Sequence, residues 1–205
     1  MNTAARVAML CVCTVVIVGI AGCVTEGGGM AQSSQNRLST TPRVFFPMVS
    51  GQDRVANVAN SGRFAEKVHT LLASQLEALG CVVTRQDTVM NNEPTERAIV
   101  AMGKLYQVDR VLVAEILSGS EEYPQGSYVQ GSDRISFQVS LRVRLLSTAD
   151  GQTVWDNTLN ESYVGMFANQ MFGRKADERV RDKCIEIIVN DQTFVSALEL
   201  ATTTP

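Results

Sequence analysis

The most regular stretch of the chain lies past its midpoint. Ile135, Phe137, Val139, Leu141, Val143 and Leu145 alternate with Ser136, Gln138, Ser140, Arg142 and Arg144. A period of two held over eleven residues predicts a strand with one buried and one wet face. Asp150-Gly151 is a turn pair, and residues 153–163 read as the returning strand, with Trp155 and Leu159 on one side.

Elsewhere the apolar spacing changes to that of helices. Phe64, Val68, Leu71, Leu72, Leu76 and Leu79 recur three and four residues apart, and Gly80 stops the run. Pro94 opens a second helical stretch containing Ile99, Met102 and Leu105. A third, over 174–189, carries Ala176, Val180, Cys184, Ile187 and Ile188 on one stripe. Residues 43–49, 81–84 and 108–117 are short apolar runs of the kind buried strands show. The predicted order is βαβαβββα, an α/β two-layer sandwich with helices packed on a mixed sheet. This domain spans 43–190, and 191–205 reads as a C-terminal tail.

The N-terminus has a different pattern. Arg6 precedes an apolar stretch over 7–20, followed by Ala21-Gly22-Cys23. A positive start, an apolar centre and a small-residue cleavage site describe a secretory signal peptide over 1–22. The stretch is short for a membrane-spanning helix, which needs about 20 apolar residues. Gly19-Ile20-Ala21-Gly22-Cys23 resembles the lipobox of bacterial lipoproteins. That resemblance implies cleavage between Gly22 and Cys23, acylation of the Cys23 thiol, and an exported, membrane-anchored protein facing the periplasm. Val24 in place of Asp after the cysteine implies, by the same resemblance, the outer membrane rather than the inner. Residues 23–42, with Gly27-Gly28-Gly29 and Gln32-Ser33-Ser34-Gln35-Asn36, hold almost no large apolar side chains and read as a tether.

Charge narrows the partners. Arg6 is the one charge in 1–22, so of 18 basic residues 17 remain, against 21 acidic ones. A mildly acidic body without a basic run argues against nucleic acid and against docking on anionic lipid by charge. Beyond Cys11, Cys13 and Cys23, two cysteines remain. Cys81 and Cys184 sit among apolar neighbours, and either a bridge between them or two buried thiols fits an exported protein.

Candidates for chemistry are few. His69 is the only histidine and lies beside the apolar stripe of its helix, which reads as solvent-facing. A nucleophile–histidine pair would have to use it. Zinc needs three or four ligands, and two scattered thiols with one imidazole do not supply them. Glu121-Glu122 reads as a loop pair, and Asp177-Glu178 as the favourable acidic first turn of a helix. A glycosidase would need two such carboxyls facing one cleft. No catalytic residue, metal or cofactor is therefore expected. Arg142 and Arg144 share the wet face of the long strand. They could hold an anionic group or pair across strands with Asp156 or Glu161. In the connection 163–172, Val164, Met166, Phe167, Met171 and Phe172 either cap the core or meet a partner or membrane.

Three segments carry a family resemblance. They are Leu76-Glu77-Ala78-Leu79-Gly80-Cys81-Val82-Val83, Val108-Asp109-Arg110-Val111-Leu112-Val113-Ala114-Glu115-Ile116, and the hairpin ending in Ala149-Asp150-Gly151-Gln152-Thr153-Val154-Trp155. Together with the element order, they resemble periplasmic lipoproteins built on the fold of the TolB amino-terminal domain. Those families include the peptidoglycan-synthase activator LpoB and the curli-secretion lipoprotein CsgG. The resemblance implies a non-enzymatic, lipid-anchored accessory or regulator of a cell-envelope machine, with an envelope protein as partner. A component of a secretion or surface-assembly complex is the alternative, and a lipid-anchored hydrolase a minor third. The chain departs from the secretion channels in that 118–133 is too short for a membrane hairpin. It departs from the activators in having no proline before Pro42.

Overall fold

A computed structural model describes residues 38–56, 61–86, 95–122, 133–166 and 175–199. The strands are β1 (Arg43–Phe46), β2 (Val55–Ala56), β3 (Val82–Arg85), β4 (Arg110–Glu122), β5 (Arg134–Ser147) and β6 (Thr153–Met166). The helices are α1 (Ser61–Leu79), α2 (Glu96–Leu105), α3 (Ala176–Asn190) and α4 (Gln192–Glu199). Local chemistry sets the boundaries. Gly80, at φ 106°, ends α1: its N–H reaches the Glu77 carbonyl while Cys81 N–H reaches that of Leu76. This doubled closure requires the left-handed residue that glycine supplies. Thr95 caps α2 by accepting the Ala98 N–H at 3.3 Å.

The strand order is β3-β1-β4-β5-β6, with β2 beside the far end of β4. β1 runs parallel to both β3 and β4, and β4, β5 and β6 form an antiparallel meander. The chain crosses from β1 outward to β3, then back past β1 to β4. Parallel crossovers are right-handed, so reversing direction places the two crossover helices on opposite faces. The cores agree. α1, α3 and α4 join Leu112, Ala114, Ile116, Phe137, Leu141 and Leu145 in one large cluster. α2 joins Phe45, Val111, Val113 and Leu146, which alternate with those residues, in a smaller one. The mixed sheet with helices packed on it is the expected two-layer α/β sandwich. Among the described helices α2 alone covers the second face, at one end.

Four readings of the sequence are corrected. β4 continues to Glu122, so residues 118–122 are strand rather than loop. β6 continues to Met166, so Val164 and Met166 also lie on a strand. Part of the expected tail is α4, whose Phe194 and Leu198 are fully buried, with Arg110 Nε donating to the Ala197 carbonyl at 3.1 Å. His69 is buried: its Nε2 lies 3.1 Å from the Phe46 carbonyl and its ring 4.5 Å from that of Phe46. Ala65 and Ala73, one turn either side of it, are also buried, so small residues had hidden the width of the stripe.

Candidate functional site

The face of the sheet opposite α1, α3 and α4 changes character along its length. At the end bearing Leu146, α2 sits directly on the strands. Gly103 permits this, since a Cβ there would lie 2.6 Å from Val111 Cγ2 and 2.9 Å from Thr148 Cγ2. Next comes a belt of ion pairs. Arg144 reaches Glu96 of α2 at 3.0 Å, Arg142 grips Asp156 through two bonds of 3.1 and 2.5 Å, and Arg54 meets Glu115 at 2.6 Å. The Arg142 hydrogen bonds hold the Asp156 carboxyl below the usual carboxylate range. A hollow of about 470 Å³ lies between α2 and the β5–β6 turn, with charges of both signs from Glu96, Arg97, Lys104 and Asp150.

Beyond the belt no described helix covers the face. Ser118, Ser120, Gln138, Ser140, Asn160 and Ser162 line an open groove of about 380 Å³ across β4, β5 and β6. Its walls are mostly hydroxyls and amides, with Gly119, Val139 and Glu161 also in the lining, and are tied in part by Gln138 Nε2 donating to Ser120 Oγ at 2.8 Å. Next to it on β6, Val164 and Met166 are 59% and 56% exposed on the same face. Between them Gly165 leaves room for the Tyr163 ring, whose atoms a Cβ would approach to 2.6 Å. The Arg179 guanidinium lies 5.0 Å from that ring's centroid.

The structure thus brings together only part of what the sequence singled out. Val164 and Met166 sit on one exposed strand end, while Phe167, Met171 and Phe172 lie outside the described residues, as do Gly22 and Cys23. Arg142 has the cross-strand partner Asp156, and Arg144 has one from another element, which no spacing rule could supply. Glu121 points to the core side and is buried, whereas Glu122 is exposed and accepts from Ser136 Oγ at 3.3 Å. Glu178, in the first turn of α3, pairs with Lys67 at 3.3 Å. Cys81 and Cys184 are free and buried, and burial pushes each thiol up to about 12. Among the described residues no cluster of three or more His, Cys, Asp or Glu could hold a metal ion. None of the described helices is long and apolar enough to cross a membrane.

No family model matches the sequence, and no curated protein matches it. Solved structures do. The hypothetical protein CT253 from Chlamydia trachomatis is 15% identical over 77% of this chain and 99% of its own, with a TM-score of 0.53. A putative neuraminyllactose-binding hemagglutinin homolog from Helicobacter pylori is 10% identical over 82% and 95%, with a TM-score of 0.51. At these identities the likeness establishes the fold alone. The LpoB C-terminal domain from Salmonella enterica is 12% identical over 61% and 87%, but its TM-score of 0.40 gives it no weight in choosing a family. Bacterial lipoproteins are among the matched structures.

Proposed function

We propose that this chain is a lipid-anchored periplasmic accessory or regulatory protein of a cell-envelope machine, acting by binding rather than by catalysis. Val164 and Met166, exposed beside a groove lined mostly by hydroxyls and amides, carry the reading. Two apolar side chains next to polar groups that both donate and accept hydrogen bonds are the ingredients of a protein contact. They are not those of a proton-transfer or nucleophilic site. The imidazole of His69 is buried against the Phe46 carbonyl, and the exposed carboxylates of the belt are neutralised by arginines.

The exposed strand end is also far from the point where the described chain begins. Leu38 N–H bonds the Leu79 carbonyl, and Ser39 N–H bonds Glu199, so the described chain enters at the end where β1, β3 and β4 begin. Met166 lies at the opposite end, roughly 45 Å away along the 14 residues of β5 at about 3.4 Å each. The partner in this reading is an envelope protein, such as a peptidoglycan synthase, that meets the exposed strand end.

In-cell cross-linking followed by isolation of the mature protein tests the reading. Recovery of a cell-wall synthase, lost in Val164→Ser/Met166→Ser, is the expected result. Recovery of a large ring of its own copies with a secreted substrate would replace it with the surface-assembly alternative. Cys23→Ala should move the protein from the membrane to the soluble fraction. Retention on the membrane would remove the lipobox assignment.

A further inference from the structure

We infer that the outer edge of β6 pairs with β6 of a second copy, joining two sheets antiparallel about a dyad at Leu159. This goes beyond the accessory reading, for the pairing stands whether or not the envelope partner does.

β6 ends the sheet and is hydrogen-bonded to β5 alone among the described strands. Edge strands are a hazard that proteins blunt with lysine, proline, bulges or shortness. The opposite edge, β3, is four residues long. β6 is 14 residues long and contains no lysine, arginine or proline; its two charges are Asp156, paired with Arg142 of β5, and Glu161 on the core face. Its one irregularity against β5 lies beside Leu145 and Leu146, so the strand is regular from Trp155 onward. Such an edge presents a ladder of backbone donors and acceptors to whatever strand has a matching side-chain pattern.

The strand matches itself. A dyad at Leu159 sets Trp155 against Tyr163, Asn157 against Glu161 and Leu159 against its own copy on the core face. On the open face it sets Asp156 against Ser162 and Thr158 against Asn160. Aromatic meets aromatic, leucine meets leucine, and each carboxylate meets a side-chain donor. Neighbouring registers lose this. Residues directly opposite must share a face, so the dyad moves only in whole residues. At Asn160 it sets Leu159 against Glu161, at Thr158 it sets Trp155 against Glu161, and at Glu161 it opposes that carboxylate to itself. A foreign strand would need its own acceptable pattern, whereas the second copy brings one, and closed two-fold pairs are the commonest assembly. The pairing occupies 155–163 and leaves Val164 and Met166 beyond it.

The test uses two full-length copies with different tags, one Asp156→Cys and the other Ser162→Cys, co-expressed and treated with a short thiol-to-thiol linker. Both positions are exposed, and the native Cys81 and Cys184 are buried. In the proposed register each new thiol faces the other across the dyad. Two thiols both at position 156, or both at position 162, would lie about 20 Å apart, some six residues along the strand. The expected result is a covalent dimer carrying both tags, at least roughly tenfold more abundant than the dimer from either variant alone. Equal yields from the single variants, no mixed dimer, or a cross-link to a different polypeptide would each overturn the proposal.

Discussion

At the end where Arg110 and Ser147 lie, helices cover both faces of β4 and β5, whereas at the end of Glu122, Arg134 and Met166 the described helices pack on one face only. The same three long strands run through both ends, so strand composition is not the whole cause. Helix length is. α2 has 10 residues, about 15 Å of helix, against strands of roughly 45 Å. It covers one end and stops, and the pairs Arg144–Glu96 and Arg142–Asp156 lie along its rim. The end near the chain entry is the more covered one, and the far end is the one the proposed contact uses.

Substitutions break this contrast in descending order. Phe137 is fully buried in the one-sided half, with its ring 5.3 Å from that of Phe64. Phe137→Ala should lower unfolding free energy in urea by about 3–5 kcal/mol, as in any packed core. A loss under about 1 kcal/mol would mean that the far half is not part of the cooperative unit. Gly103→Val should lift α2 from Val111 and Thr148 at a cost of about 1–3 kcal/mol. Faster amide exchange in α2 and β4, with the far half unchanged, would then show that coverage belongs to α2.

Asp191 caps α4, accepting from Thr193 N–H at 2.8 Å and Phe194 N–H at 3.4 Å, and also from the Trp155 indole. Burial works to raise its pKa but is outweighed by these hydrogen bonds, so the folded carboxyl sits below its ordinary value. The stability it contributes is therefore complete above the unfolded carboxyl's pKa of about 3.9 and is lost as pH falls through the folded value. Asp191→Ala should cost about 0.5–2 kcal/mol at neutral pH and flatten that acid loss in pH-dependent melts. Arg142→Gln, which opens an exposed pair, should cost less than about 1 kcal/mol, measured by thermal melting at low and high salt. A larger loss would make the belt a structural seal.

Much of the architecture was legible because the signals were local. Strict alternation in β5, the Asp150-Gly151 turn and Gly80 after α1 each act within a few residues. The missed features depend on partners far away in sequence. His69 looked solvent-facing until Phe46 was placed over it from another element, and Ala65 and Ala73 are too small to mark a stripe. α4 is an eight-residue stretch, too short to persist alone. It exists because Phe194 and Leu198 find the large core and Arg110 takes the Ala197 carbonyl. Val164 and Met166 were singled out in the sequence for their apolar character. Their place on an uncovered strand end was not readable there.

The sequence by itself determined which residues form most of the strands and helices and which side of β5 is wet. Backbone preference and hydrophobic periodicity act over a few residues and need no fold to be read. Only the tertiary structure decided how much of the wet side is covered and which arginines are neutralised. It alone left one long edge without a neighbour among the described strands. Those are properties of helix length against strand length and of strand order, and they arise only when distant segments are brought together.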